Sequence, residues 1–369
     1  MDNIKIITLT AVHIGSGETL QYGNDFVKGE VDGYNMIGII DARKVMKIIG
    51  EEHIPDWVAA IDKKKNTTEI VKVYAPSSSI EDYSKRIISN WDTIRDSDTL
   101  KEHIHDGNGH PYIPGSSIKG AIRTAILASI ANNMTGLENK IQRGYRDKIN
   151  AKQIESDLFG DDPMRDVFRF LQVGDAIFGD NYEVAVRMVN INERDRESFW
   201  DTSKPQLIEA IGPEDEATFH LKLNTRLYNW GQSKVHKMPD QMSSVEKIFE
   251  TINGHTKKLI IEEITYWKER EERANARNID TYIEKMKDIL QIAENCDTST
   301  SCIMRIGHGS GWRFITGAWT ESLSNFKDVI VPASRPHNDR YQSYNFPKTR
   351  RVNTECDLLG FVQLIRQPD

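Results

Sequence analysis

Apolar and polar positions alternate across residues 3–14, the period-two pattern of a half-buried strand, and the small residues of GSGE at 15–18 end it. DFVKGEVDGYNMIGII continues in the same period and carries turn chemistry at Asp32-Gly33. Residues 41–105 break the rhythm with a short helix from Asp41 to about Ile49 and mixed polar segments, so they read as an insertion. LKEHIHDGNGHPYIPG predicts a hairpin turning at DGNG. It delivers the chain into a helix from about Ser117 to Asn132. There Ile118, Ile122, Ala125, Ile126, Ser129 and Ile130 make one buried stripe.

A polar basic stretch, LENKIQRGYRDKINAK, precedes IESDLFGDD, and VFRFLQVGDAIF and YEVAVRMVNIN then read as strands. The pattern restarts near Pro205. ATFHLKLN is a strand, residues 243–293 are charged with helical spacing, SCIMRIG is a strand, and WRFITGAWTESL is expected to be helical. Strands interleaved with few helices predict ferredoxin-like α+β units. The order strand, excursion, glycine loop, helix recurs in both halves. Two related domains are therefore expected: 1–204 with an insertion at about 41–105, and 205–369 with a charged helical insertion at about 240–295.

The chain's 369 residues suffice for two cores, and no stretch reaches the roughly 20 apolar residues that cross a bilayer. Residues 1–15 lack the layout of a signal peptide. The three cysteines, Cys296, Cys302 and Cys356, have no metal-type spacing and form no disulfide framework. A reducing cytoplasm, with no membrane partner, is the expected setting.

Net charge is −7, which excludes a chain coated in cations. It leaves room for a basic channel on an acidic body. The segment from Arg335 to Arg351 holds Arg335, Arg340, Lys348, Arg350 and Arg351 against a single acid, Asp339.

The strongest chemical signal is HPYIPGSSIKGAIRTAIL, residues 110–127. With Ser116 as N-cap, Lys119 would occupy the place of a capping-box Glu, and Arg123 would share its helix face. Cations are disfavoured at the positive end of a helix dipole. Free N–H groups, the hydroxyls of Ser116 and Ser117, the small Gly120 and two cations together describe a phosphate site rather than an ordinary helix start.

Gly307-His308-Gly309-Ser310-Gly311 follows a strand, but its spacing is neither dinucleotide fingerprint nor P-loop. It reads as a backbone-amide nest for a phosphodiester, with Arg313 and Trp312 supplying charge and a stacking face; a tight packing turn is the alternative. His13, Gly15 and Ser16 form a small loop that permits close backbone approach to a ligand. His103, His105 and His110 with Asp106 raise a metal site, which the turn chemistry of Asp106-Gly107 explains better. Asp25, Asp161, Asp162, Asp175 and Asp180 are isolated carboxylates, and no catalytic pair or nucleophile arrangement is legible. The charged run 257–277 reads as a solvated helical face.

VHIGSGE, YIPGSSIKGAIR, DLFG and the late glycine loop together resemble the RAMP superfamily of CRISPR-associated proteins. The order and spacing are most similar to the head subunits, the fifth Csm subunits, of type III-A Csm effector complexes. The resemblance implies an α+β fold of two ferredoxin-like (RRM-related) domains with helical insertions. It further implies a non-catalytic RNA-binding subunit without cofactor or metal, capping the 3′ region of the guide crRNA and supporting its 3′-end maturation in antiviral defence. The implied partners are the guide crRNA, target RNA in the assembled complex, other Csm subunits (especially the adjacent backbone RAMP) and recruited host nucleases. Ser116, Ser117, Lys119, Gly120 and Arg123 would hold guide phosphates. His13, Gly15, Ser16, Gly307, Gly309, Ser310, Gly311 and Arg313 would lie nearby. The competing expectation is a metal-dependent endoribonuclease of the same superfamily acting on guide or target RNA through Asp25 or the His103/His105 pair. A nucleotide-binding enzyme built on the 307–311 loop is a third.

Overall fold

The computed structural model describes residues 1–63, 65–143, 149–150, 152–179, 183–192, 200–232, 234–271, 277–315, 317–327 and 349–368. Asp180, Arg335, Asp339, Arg340 and Lys348 lie outside the described residues. The chain opens with β1 (Asp2–Thr8), β2 (Gly15–Gln21), β3 (Phe26–Val31) and β4 (Tyr34–Ile40), followed by α1 (Ala42–Ile49), α2 (Ile54–Asp62) and α3 (Thr67–Tyr74). GSGE therefore begins a strand instead of closing one. The turn at Asp32-Gly33 joins β3 to β4 as its chemistry predicts.

Next come β5 (Ser84–Asn90), β6 (Thr99–His103), β7 (Tyr112–Ile113), α4 (Gly115–Ala131), β8 (Gln142–Arg143), β9 (Ile149–Asn150) and α5 (Lys152–Phe159). The middle of the chain holds β10 (Leu171–Val173), β11 (Ala176–Phe178), β12 (Glu183–Asn192), β13 (Trp200–Ile211), β14 (Glu216–Leu223) and α6 (Thr225–Gly231). The last part is α7 (Val245–Glu271), α8 (Arg277–Glu294), β15 (Ser301–Arg305), β16 (Thr349–Asn353) and β17 (Phe361–Arg366). WRFITGAWTESL does not extend as an α-helix: it makes two 3-10 turns, Trp312–Phe314 and Ala318–Ser322.

The α+β class is as expected. Among the described residues one sheet runs β15-β17-β1-β14-β11-β7, with β10 also on β14. Along the chain β1, α4, β10–β11, β14, α7 and β17 succeed one another as strand, helix, strand, strand, helix, strand, which is the ferredoxin-like order. A second sheet runs β2-β6-β13-β12-β5-β4-β3, with β16 on β12. The boundary expected at 204/205 falls within β13, and both large sheets take strands from either side of it. The antiparallel β12–β13 ladder, from Glu183↔Ile211 to Ile191↔Trp200, holds the two flanks together.

Both expected insertions are likewise woven into the fold. β5 sits between β12 and β4, and α1–α3 cover the β3–β5 end through Val45, Trp57 and Val71. The first half of α7 packs Val245, Ile248, Phe249 and Ile252 into the main core, against α4 and the first sheet. Ile4, Ile6, Ile118, Ile122, Ile126, Phe219 and Leu364 complete that core, each worth about 1.5–3 kcal/mol relative to exposure. No helix among the described residues is long and apolar enough to cross a membrane.

Candidate nucleic-acid interface

Helix α4 begins two residues earlier than its sequence suggests. Pro114 is the N-cap and makes no side-chain cap, so Ser116 lies inside the first turn, Lys119 in the second and Arg123 in the third. The macrodipole acts mainly on the terminal turn, which removes the electrostatic anomaly expected at Arg123. The helix end is also answered from within: the Gly115 N–H donates to Asp175 Oδ1 at 2.7 Å. Gly115 is required by close approach, because a Cβ there would stand 2.2 Å from the Val173 carbonyl oxygen.

Arg123 does not face an open anion site. Its guanidinium donates to Asp166 Oδ2 at 2.8 Å and Glu155 Oε2 at 3.5 Å. It also lies over the rings of Phe159 and Phe168, at 4.5 and 4.9 Å. The DLFG stretch thus supplies Phe159 to a clamp that ties α5 to α4. Lys119 is half-buried, and burial lowers its pKa against the opposing pull of Asp166. Ser116 and Gly120 are exposed beside it, and Ser117 is half-buried.

The two glycine loops, far apart in sequence, close on each other. The His308 N–H donates to the His13 carbonyl at 2.9 Å. Gly307 makes this possible with a φ of +81°, and a Cβ there would lie 2.6 Å from the same oxygen. His13 is buried, with Nδ1 2.5 Å from the Glu209 carbonyl, so Nδ1 carries the proton and Nε2 is a bare acceptor. Burial pushes its pKa down to about 4, with His308 and Lys101 adding repulsion. Ser16 Oγ bonds Glu102 at 3.2 Å and accepts the Glu18 N–H, while Gly15 lies against the His13 ring.

The far half of the late loop turns inward. Gly309 meets Met188 and Leu359, Ser310 is buried, and Trp312 packs on Phe326 after Gly311. Arg313, expected to offer charge to a phosphate, is buried in ion pairs with Glu263 at 2.7 Å and Glu321 at 2.6 Å, over the Tyr266 ring. Its charge is used by the core.

Beside this junction one face of the second sheet collects positive charge. Lys101 Nζ donates to Gln206 Oε1 at 3.1 Å, and His308 Nε2 approaches the same oxygen at 3.3 Å. Burial lowers the His308 pKa, and the charges of Lys101 and Arg351 lower it further. Arg351 lies opposite Asn190 in the β12–β16 ladder. Its own pKa is lowered by burial. Arg351 Nη1 and Asn190 Oδ1 are both buried without a hydrogen-bond partner among the described residues. A donor left in this state costs about 1–3 kcal/mol, which an anion can recover. Lys101 and Gln206 escaped sequence reasoning; the period-two alternation of their strands, read against neighbours placed by pairing, was the available signal.

The opposite face of the same strands holds a buried acidic network. Arg86 donates to both Glu209 oxygens at 2.8 Å and to Glu102 at 3.0 Å, and His105 pairs with Glu183 at 2.9 Å. Ligand atoms of Glu102, His105 and Glu209 lie within 4.8 Å of one another. The Arg86 guanidinium, however, already engages both Glu209 oxygens, and a cation there would meet its charge. His103 does not join His105 as a ligand: Nδ1 accepts the Ile14 N–H and Nε2 bonds the Tyr112 carbonyl. His110 and Asp106 bond each other within their turn. Asp25 accepts the Gln21 N–H, Asp162 those of Met164 and Arg165, and Asp161 pairs with Arg165.

Comparison with known proteins places this geometry in context. The RAMP superfamily model matches residues 5–314. The "CRISPR system Cms protein Csm5" of Methanocaldococcus jannaschii is 26% identical over 182 residues, 47% of this chain. The match spans 42% of that relative's length. A chain of the Csm-crRNA-target RNA ternary complex of a type III-A CRISPR-Cas system superposes with a TM-score of 0.71 at 19% identity, covering 100% of both chains. The crystal structure of T. onnurineus Csm5 gives 0.68 at 18% identity, covering 97% of this chain and 99% of that one. At these identities the structural likeness is one of fold.

Proposed function

This chain belongs to the RAMP superfamily, and on that premise we propose that it is a non-catalytic, RNA-binding subunit of a type III-A CRISPR effector ribonucleoprotein. Its place is the 3′ region of the guide crRNA, next to a backbone RAMP subunit, where it supports 3′-end maturation. One observation carries the reading: the face where Lys101 and Arg351 flank His308, with a buried Arg351 guanidinium nitrogen that has no hydrogen-bond partner among the described residues. Such a surface neutralises phosphates and leaves bases free to pair with a target, so that sequence specificity resides in base pairing. The glycine junction at His13 and Gly307 supports it by holding the exposed His308 at that face. Lys119, Ser116 and Ser117 supply a second phosphate contact at the start of α4.

The non-catalytic reading is supported by the carboxylates themselves. Asp25 and Asp175 serve backbone hydrogen bonds, and Glu209 is engaged by Arg86. The test is RNA affinity across salt concentrations for Lys101→Ala and Arg351→Ala. Each is expected to weaken single-stranded RNA binding equally for all sequences and to reduce the salt slope by about one unit. Unchanged affinity in both would sink the assignment.

A further inference from the structure

Helix α6 presents the most exposed large apolar side chain among the described residues. Trp230 is 88% exposed, and Leu227, three positions earlier on the same face, is 51% exposed. The helix is nevertheless firmly held. The Tyr228 ring packs edge-on against Phe170 at 5.6 Å, and its hydroxyl accepts the Met238 N–H at 2.8 Å. Asn224 caps the helix by accepting the Leu227 N–H at 3.1 Å. Trp230 is thus an indole on a firmly held helix, with no described residue covering it.

The charge around it is one-sided. Residues 217–239 contain Lys222, Arg226, Lys234 and Lys237, together with His220 and His236, and no acid, within a chain of net charge −7. Arg226 lies four residues before Trp230, on the same helix face. The segment after the helix folds back so that the His236 N–H meets the Arg165 carbonyl at 3.1 Å. Nearby acids are already engaged: Asp161 and Asp162 with Arg165, and Asp157 with Lys140. Packing connects α6 to the start of α4. Asp166, which faces Lys119, caps the turn carrying Arg169 and Phe170, and Phe170 holds α6.

We infer that Trp230 is a stacking platform for an unpaired base of single-stranded RNA, with Arg226, Lys222 and Arg169 holding the flanking phosphates. This rests on the RNA-binding reading above and adds to it a second contact point, on the first sheet's side of the molecule. A protein partner fits the surface less well, because interface cores are depleted of charged residues while the segment 217–239 that carries this indole holds four lysines and arginines and no acid. Single-strand binders combine these two elements, a basic track and an aromatic face, and their stacking tolerates any base.

The test uses the full chain and fluorescent single-stranded RNA of about 12 nucleotides, read by anisotropy. Trp230→Ala is expected to lower affinity roughly ten-fold and Trp230→Phe to retain most of it. An abasic strand of equal length should bind wild type and Trp230→Ala alike. Wild-type affinity in Trp230→Ala, alongside loss in Lys101→Ala and Arg351→Ala, overturns the platform and leaves the RNA-binding reading standing; it would assign the indole to a protein contact. Loss in Trp230→Ala alone keeps the platform and rejects the Lys101–Arg351 face. An equal drop on base-containing and abasic strands also rejects stacking.

Discussion

Arg350 and Arg351 leave β16 on opposite faces and meet opposite electrostatic fates. Arg350 is buried against Glu263, donating Nη2 to Oε1 at 2.7 Å and Nε to Oε2, whereas Arg351 has a buried Nη1 with no acceptor among the described residues. Two adjacent cations, alike in sequence, are divided into a structural one and an available one by the two-residue period of a strand.

Exchanging each for alanine should separate stability from binding. Arg350→Ala strands the fully buried Glu263 carboxylate with Arg313 as its remaining cation, and is expected to cost about 3–5 kcal/mol in urea unfolding. Arg351→Ala removes a half-buried cation whose Nη1 has no hydrogen-bond partner among the described residues, so stability should hold or rise while RNA affinity falls. The reverse pattern would show the assignments to be exchanged.

At α4, Arg123→Ala is expected to destabilise the protein by roughly 1–3 kcal/mol through loss of the Asp166 bond and the two ring contacts, its partial exposure keeping the effect below that of a fully buried pair. RNA affinity of the folded variant should stay within about two-fold of wild type. Lys119→Ala should do the opposite, leaving the melting temperature in place and reducing the salt slope. Calorimetric melting paired with RNA titration distinguishes the two residues.

Stability should fall as pH is lowered from about 6.5 toward 4. Burial holds the folded His13 pKa at about 4, below its ordinary 6.5, and pushes His103 well down as well. In that window the unfolded chain takes up protons that the folded one refuses, so acid favours unfolding, by an amount on the order of 3 kcal/mol for His13. Denaturant midpoints at pH 7.5 and pH 5 read this directly. An imidazole NMR titration placing His13 near 6.5 would contradict it.

Much of the local order is legible along the chain. The α4 stripe of Ile118, Ile122, Ala125 and Ile126, the β3–β4 turn and the β15 strand come where their periods put them. Helix α7 misleads because its charged outer face dominates the pattern, while Ile248, Phe249 and Ile252 pack into the main core. WRFITGAWTESL has apolar spacing compatible with a helix, yet Arg313 and Trp319 are buried in the core, where only short turns fit.

Sequence by itself determined the α+β class, the principal elements and the family signature, since periodicity and turn chemistry act over a few neighbouring residues. Tertiary structure alone decided which cations remain available. Arg123 and Arg313 are consumed by carboxylates that packing brings to them, whereas Lys101 and Arg351 converge on His308 from separate segments with no carboxylate partner among the described residues. The physical reason is that a charge's usefulness depends on its nearest opposite charge in space, and that neighbour is chosen by long-range packing.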